Sequence, residues 1–475
     1  MGRVQDTARQ PCLKAASDRA VEAPAPTPPA TLRTLLTLAW PIIIGRASQT
    51  IIGLSDTLMV AHLGAAALAA TATGGLNSFT VLILPMGITF IVSSFAAQLF
   101  GKGDLAGARR YGWYGLMVAV LTTALALVSR PFIDDVLGLL PYSEEVRTLM
   151  ADYMRIRLLS AGASIGIEAL ANYYGGVGRT RPGMMANLAA MMLNVLGNWL
   201  LIDGHLGLPA LGVAGAALAS TLSTVVAFIG FFFYFLREGN PQARVKLQAA
   251  EFGRMLRFGL PSGFNWLFDF GAYVFFTNVV VGGLGTSALA AMQSVMSLNS
   301  VSFMPAFGLA SAGAILVGQT IGAGKKDEVP GVVKLTAATA LVWQCSVGLL
   351  CLAIPTLLMT PFAHGEGAEQ VMRIGTRMLM ISAAWQVFDA VGMTVAEALR
   401  GAGDTLFPMT ARIAVAWLVF VPGSFYSVKY LGWGDVGAIF WMVAYLALLA
   451  AVVFLRFQAG SWRKIELVDG AVPAH

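Results

Sequence analysis

Three aspartates occupy stretches of sequence where a carboxylate is hard to keep. Asp56 lies in "QTIIGLSDTLMVAHLG", and no Asp, Glu, Lys or Arg follows it until Lys102. Asp269 lies in "GLPSGFNWLFDFGAYVFF", and none follows it until Lys325. Asp389 lies in "AAWQVFDAVGMTVAEALRGAGDT", alone between Arg377 and Glu397. At the centre of a bilayer each would cost about 2.5–3.5 kcal/mol on insertion scales before it finds a partner. The chemistry such residues offer is proton or cation binding, because a low dielectric favours the neutral carboxyl and makes protonation a usable binding event. The competing reading is a structural aspartate that fixes helix contacts by hydrogen bonding.

Neighbouring residues extend each site. Asn265 and Tyr273 stand four residues either side of Asp269, so a helix puts all three on one face. Gln386 and Trp385 precede Asp389 by three and four residues. These four are the candidates for a substrate cavity. Phe264, Trp266, Phe268 and Met292 are further candidates for a bulky cation, although such residues more often pack or face lipid. Asn194 and Asn198 share a face of "MLNVLGNWLL" and want a partner, for which Asp56 is the nearest candidate; plain interhelical bonding is the alternative. Arg46 precedes Asp56 by ten residues, about 15 Å along a helix, so the two are not intrahelical partners. Glu168 and Glu397 fall near the expected cytoplasmic ends of their apolar runs, where hydration is cheap.

The elements that carry these residues follow from composition. The chain has 475 residues, 57% hydrophobic and 12% charged, with mean hydropathy +0.72. Soluble chains carry about 25% charged residues, so this one lacks the polar material to coat a water-soluble surface. It is an all-α integral membrane protein. Twelve apolar runs are long enough to span, near 34–62, 68–99, 111–130, 150–174, 183–203, 212–236, 254–282, 288–320, 332–360, 371–399, 408–430 and 436–456. The longest predict tilt or kinking.

Basic residues alternate between the loops. Lys102, Arg109, Arg110, Arg179, Arg181, Arg237, Arg244, Lys246, Lys325, Lys326, Arg400, Arg463 and Lys464 all fall on one side, and the opposite loops are acidic or nearly neutral. The positive-inside rule then puts both termini in the cytoplasm of a multi-pass protein in the cytoplasmic (inner) membrane. The net charge of +6 serves orientation, not nucleic-acid binding. Cys12, Cys345 and Cys351 make no disulfide framework, and four scattered histidines make no ligand cluster.

The chain repeats itself. "ALAATATGGLNS" returns as "ALAAMQSVMSLNS", "QLFGKGD" as "QTIGAGK", and "YYGGVGRTRPGM" as "ALRGAGDTLFPM"; Pro41 matches Pro261 and Pro85 matches Pro305. One offset of about 220 to 226 residues covers all five pairs. Six spans per half is an even number, so the repeats are parallel, related by a pseudo-twofold axis along the membrane normal, with a substrate site expected between them. The expected boundaries are a disordered tail at 1–33, lobes at 34–236 and 254–456 joined by a linker at 237–253, and a C-terminal tail at 457–475. The first apolar run comes too late for a signal peptide.

The ordered set "SDTLMVAHLG", "NYYGGVGRTRPGM", "LGVAGAALAS", "GLPSGFNWLFD" and "FDAVGMTVAEALRGAGDT" resembles the multidrug and toxic compound extrusion (MATE) transporters over about residues 34–456. The resemblance implies export of cationic or amphipathic organic compounds in exchange for H⁺ or Na⁺. It further implies C-lobe ion coupling at Asp269 and Asp389, and N-lobe coupling at Asp56 with Asn194, Asn198 and Ser220. The coupling ion would be H⁺, or Na⁺ at Asp269, Asp389 or Asp56. Other members often carry Glu where this chain has Asp269, and some bacterial members carry Tyr in place of Trp385. No cofactor is expected, no phosphate loop is present, and the expected partners are small organic cations and membrane lipid, for a monomer. The rival within the superfamily is a lipid-linked oligosaccharide flippase, which needs cavity cations to hold pyrophosphate, where the sequence offers mainly Arg46. A membrane-embedded enzyme would need a catalytic His, a Ser–His pair or a zinc motif, and His62 alone supplies none.

Overall fold

The computed structural model describes residues 30–139, 142–238, 246–362 and 367–468. Most of the expected N-terminal tail (1–29), much of the linker and the chain end lie outside the described residues. The spans are numbered in chain order. Spans 1 to 3 are Leu32–Val60, Ala65–Gly101 and Leu105–Ser129. Span 4 is Glu144–Arg157 followed by Ala161–Gly176, and spans 5 and 6 are Arg181–Ile202 and Gly212–Arg237. Spans 7 to 10 are Ala249–Phe275, Thr286–Gly322, Val329–Ala353 and Ala368–Ala402. Span 11 is Leu406–Ala414 and Val421–Lys429 joined by a π-helical turn, and span 12 is Gly434–Gln458.

Eleven helices among the described residues are long and apolar enough to cross a membrane. The remaining run is span 4. Its first segment carries Glu144, Glu145, Arg147, Asp152, Arg155 and Arg157, and a 3₁₀ turn at Leu158–Ser160 separates it from the apolar second segment.

Spans 2 and 8 are 37 residues each, about 55 Å of helix against about 30 Å of hydrocarbon. Each contains a proline, Pro85 or Pro305, as spans 1 and 7 contain Pro41 and Pro261. A helix-interior proline removes one backbone hydrogen bond and permits the bend that such a length requires.

The two largest apolar clusters follow the two halves, and each borrows from the other. Leu35, Leu38 and Ala39 of span 1 sit in the C-half cluster, while Met255 of span 7 sits in the N-half one. Span 1 lies on span 8 and span 7 on span 2, the exchange that a parallel repeat requires. Gly87 makes the span 2–span 7 approach possible, since a Cβ there would lie 2.6 Å from the Gly263 Cα.

The seam at the C-terminal ends of spans 2 and 8 repeats this symmetry. Gln98 Nε2 donates to Gly401 O (3.0 Å), and Gln319 Nε2 to Gly176 O (2.9 Å). A Cβ on Gly101 would collide with Gln319 O, and one on Gly322 with Gln98 O. The described part of the C-terminal tail is no free end. Trp462 stacks on Phe457, Leu467 is buried in the N-half cluster, and the ammonium groups of Lys326 and Lys102 reach Arg463 O (2.8 Å) and Val468 O (3.3 Å).

Substituting Gly101→Ala or Gly322→Ala improves helix propensity by up to about 1 kcal/mol. Overpacking the seam costs about 1–3 kcal/mol and prevails, because the obstacle is backbone. Both variants therefore unfold at lower temperature than the wild type in detergent. An unchanged melting temperature contradicts this contact.

Candidate functional site

The N-half site gathers around Asp56, which is 2% exposed. Asn194 and Asn198, one turn apart on span 5, both donate Nδ2 to Asp56 Oδ1 at 2.8 Å. The Tyr153 hydroxyl of span 4 donates to Oδ2 at 3.0 Å, and Ser220 of span 6 donates to the same oxygen. Asn194 also reaches Ser220 Oγ at 2.8 Å. Four donors thus converge on one carboxylate from three helices, which is how a buried anion is held. Asn198 Oδ1 is buried and meets no donor among the described residues. The structure therefore brings Asp56, Asn194, Asn198 and Ser220 together, and adds Tyr153.

The C-half site has a different balance. Asp269 of span 7 pairs with Arg412 of span 11 (Nη1 to Oδ2, 2.9 Å) and accepts from the Tyr445 hydroxyl of span 12 (2.6 Å). Asp389 of span 10 receives one hydrogen bond, from Gln344 Nε2 of span 9 at 2.8 Å. Both carboxylates line a single cavity together with Asn265, Trp266, Glu397 and Arg400. Gln344 Oε1 and Asn265 Oδ1 are buried and meet no donor among the described residues. Around Asp389 the arrangement is thus rich in acceptor oxygens and short of donors.

Three sequence-based expectations need correction. Gln386 faces away from the cavity: it accepts from Ser302 Oγ (2.9 Å) and donates to Asn299 Oδ1 (2.6 Å), tying span 10 to span 8. Trp385 is buried in the C-half cluster. The cavity face of span 10 runs instead through Asp389, Met393, Ala396 and Arg400. By spacing alone Gln386 stands only about 60° round the helix from Asp389; its bonds to Ser302 and Asn299 of span 8 are what hold its amide away from the cavity. Tyr273 shares the face of Asp269 but packs against the C-half cluster, beside Thr277 at the π-helical turn Phe276–Val281.

The two glutamates also differ from expectation. Glu168 is buried in a two-bonded ion pair with Arg46, and Asn172 Nδ2 donates to it at 3.0 Å. Glu397 pairs with Arg400, whose Nη1 crosses the seam to Phe90 O at 2.6 Å. Glu168 lines a cavity shared by the two halves and Glu397 one within the C-half, instead of hydrated helix ends. Cavity-lining cations include Arg157, Arg400 and Arg412 as well as Arg46. All four stand in the sequence inside or at the end of apolar runs, as does Gln344, so the signal was present. Which of them meets which carboxylate was not.

The MatE family model matches residues 41–200 and 267–425, one segment in each half. The chain belongs to the MatE family. Members of this family are transporters rather than enzymes. Among curated relatives, the probable multidrug resistance protein NorM of Thermotoga maritima is 28% identical over 92% of this chain and 94% of its own length. The multidrug resistance protein PmpM of Pseudomonas aeruginosa is 28% identical over 85% of each chain. The solved structure of a MOP superfamily transporter from Pyrococcus furiosus superposes with a TM-score of 0.81 at 22% identity, covering 91% of this chain and 97% of that one, a likeness of fold.

In this MatE chain the Asp269–Arg412 pair predicts a defined asymmetry. Arg412→Met strands a carboxylate inside the protein, at about 1–3 kcal/mol after allowance for the cavity surface that both groups retain. The double variant Asp269→Asn with Arg412→Met regains most of that loss, read as melting temperature in detergent. Equal melting temperatures for the single and double variants contradict the pairing.

Proposed function

We propose that this chain is a secondary active multidrug exporter of the cytoplasmic membrane, with both termini cytoplasmic, acting as a monomer. It exchanges cationic or amphipathic organic compounds for H⁺ or Na⁺ by alternating access. The observation that carries this reading is the state of Asp389. It lines the C-half cavity with one hydrogen-bond donor, beside two buried amide oxygens that meet none among the described residues. A set of oxygen acceptors with a spare negative charge suits a proton, a hard cation such as Na⁺, or the cationic end of a drug.

The three compete for one carboxylate. In the outward-facing state the entering ion neutralises Asp389, the attraction for a cationic drug falls, and the drug leaves. Differential affinity is what lets a ligand shift a conformational equilibrium, and competition at Asp389 supplies it. Asp269, clamped by Arg412 and Tyr445, shapes the field around Asp389. The Asp56 cluster serves as a second, N-half ion site, with Asn198 Oδ1 as a spare oxygen.

The cavity arginines favour a second reading, a flippase for pyrophosphate-linked oligosaccharides. Pyrophosphate needs uncompensated cations, however, and three of the four arginines are matched: Arg46 to Glu168, Arg400 to Glu397 and Arg412 to Asp269. That balance supports the exporter.

The test follows ethidium uptake by its own fluorescence in everted vesicles, under an imposed H⁺ gradient and, separately, an imposed Na⁺ gradient. Wild-type protein accumulates ethidium under one of the two gradients, and Asp389→Asn abolishes the accumulation. A variant that responds like the wild type overturns the role given to Asp389, and silence of the wild type under both conditions favours the flippase.

A further inference from the structure

Charge matching leaves one remainder in each half. The C-half cavity is lined by Asp269, Asp389, Glu397 and Asp404 against Arg400 and Arg412. Asp269 takes Arg412, Glu397 takes Arg400, and Asp404 takes Arg456 from span 12 at 2.9 Å. Asp389 is left over. The adjoining N-half cavity, of about 390 Å³, is lined by Arg46, Arg157 and Glu168. Arg46 takes Glu168, and here the group left over is a guanidinium.

Arg157 ends the first segment of span 4, 14 residues and about 20 Å from its start, and so sits deep in the bundle. Its Nη1 donates to Ser160 Oγ at 2.7 Å, and the Tyr153 hydroxyl lies beside it. No carboxylate among the described residues pairs with it; Asp56, the nearest through Tyr153, already holds four donors. A guanidinium carries five N–H donors in a planar fork shaped for a carboxylate. The two cavities share an aromatic lining, Trp266, Phe303 and Phe307. Trp266 and Phe307 meet edge to face at 5.8 Å, and Phe303 stacks on Phe307 at 5.9 Å.

From this bipolar arrangement we infer that Arg157 is a specificity-determining residue that receives an acidic group of the transported compound. The acidic group of such a compound meets Arg157, and its apolar body lies against the aromatic lining that the two cavities share. This inference rests on the exporter reading. A purely structural Arg157, balancing Asp56 through Tyr153, would instead affect every substrate alike.

A matched pair of dyes separates these roles: a rhodamine with a free carboxylate and its methyl ester, which differ only in the acid. Both are offered to proteoliposomes of wild type, Arg157→Gln and Arg157→Lys. The wild type exports both. Arg157→Gln raises KM for the free acid by about tenfold or more, the scale of a lost charge-assisted hydrogen bond, and leaves the ester within about twofold. Arg157→Lys restores part of the difference, because it keeps the charge and loses the fork. Equal losses for both dyes, no change for either, or a wild type that exports only the ester each overturn the inference while leaving the exporter standing. A wild type that moves neither dye contradicts both.

Discussion

An ionised side chain inside a membrane protein needs a counter-charge or a full set of donors, and this requirement organises the interior of the molecule. Asp56 is held by four donors, and Asp269, Glu168, Glu397 and Asp404 each hold an arginine. Nearly every pair joins different helices, so the pairs also fix which spans are neighbours. Against that background the poorly matched groups stand out. Asp389 has a single amide donor, and Arg157 has hydroxyl neighbours in place of a carboxylate. A group whose counter-charge is missing from the protein is the one free to take it from cargo.

The duplicated architecture puts these groups where cargo can reach them. Each half lends helix surface to the other; one cavity lies where the halves meet, and the other lies within the C-half and shares its aromatic lining. At the C-terminal ends of spans 2 and 8 glycines let the two helices meet, and reciprocal glutamine bonds tie span 2 to span 10 and span 8 to span 4. Arg400 adds a third bond across the seam. Under the proposed alternating access, these are the polar contacts that must break for the halves to separate there.

Much of this was legible in the sequence, for identifiable reasons. The apolar runs carry their own length signal, and the shared offset of five paired motifs exposes the repeat. Asn194 and Asn198 could be matched to Asp56 because two amides four residues apart on an apolar helix require a common polar partner, and Asp56 is the carboxylate nearest to them in that half. Ser220 came from family resemblance. Arg412, Tyr445 and Gln344 could not be assigned, since each comes from a separate span and only tertiary packing brings it to Asp269 or Asp389. Glu168 and Glu397 were misplaced because the cavities carry polar surroundings deep into the bundle, so position along a run misjudges hydration. Gln386 stands close to the face of Asp389 by spacing, and only its partners Ser302 and Asn299 on span 8, which packing supplies, turn its amide from the cavity.

The central claim is that one carboxylate is shared in turn by ion and drug. The direct measurement is the Kd of purified protein for ethidium, followed by fluorescence as pH is lowered and, separately, as Na⁺ is added. The account predicts that binding by the wild type weakens with one of these ions as simple competition requires, and that Asp389→Asn binds weakly with no dependence on either. Retention of the full ion dependence in Asp389→Asn, with its loss in Asp56→Asn, would contradict the account and move the shared site to the N-half cluster.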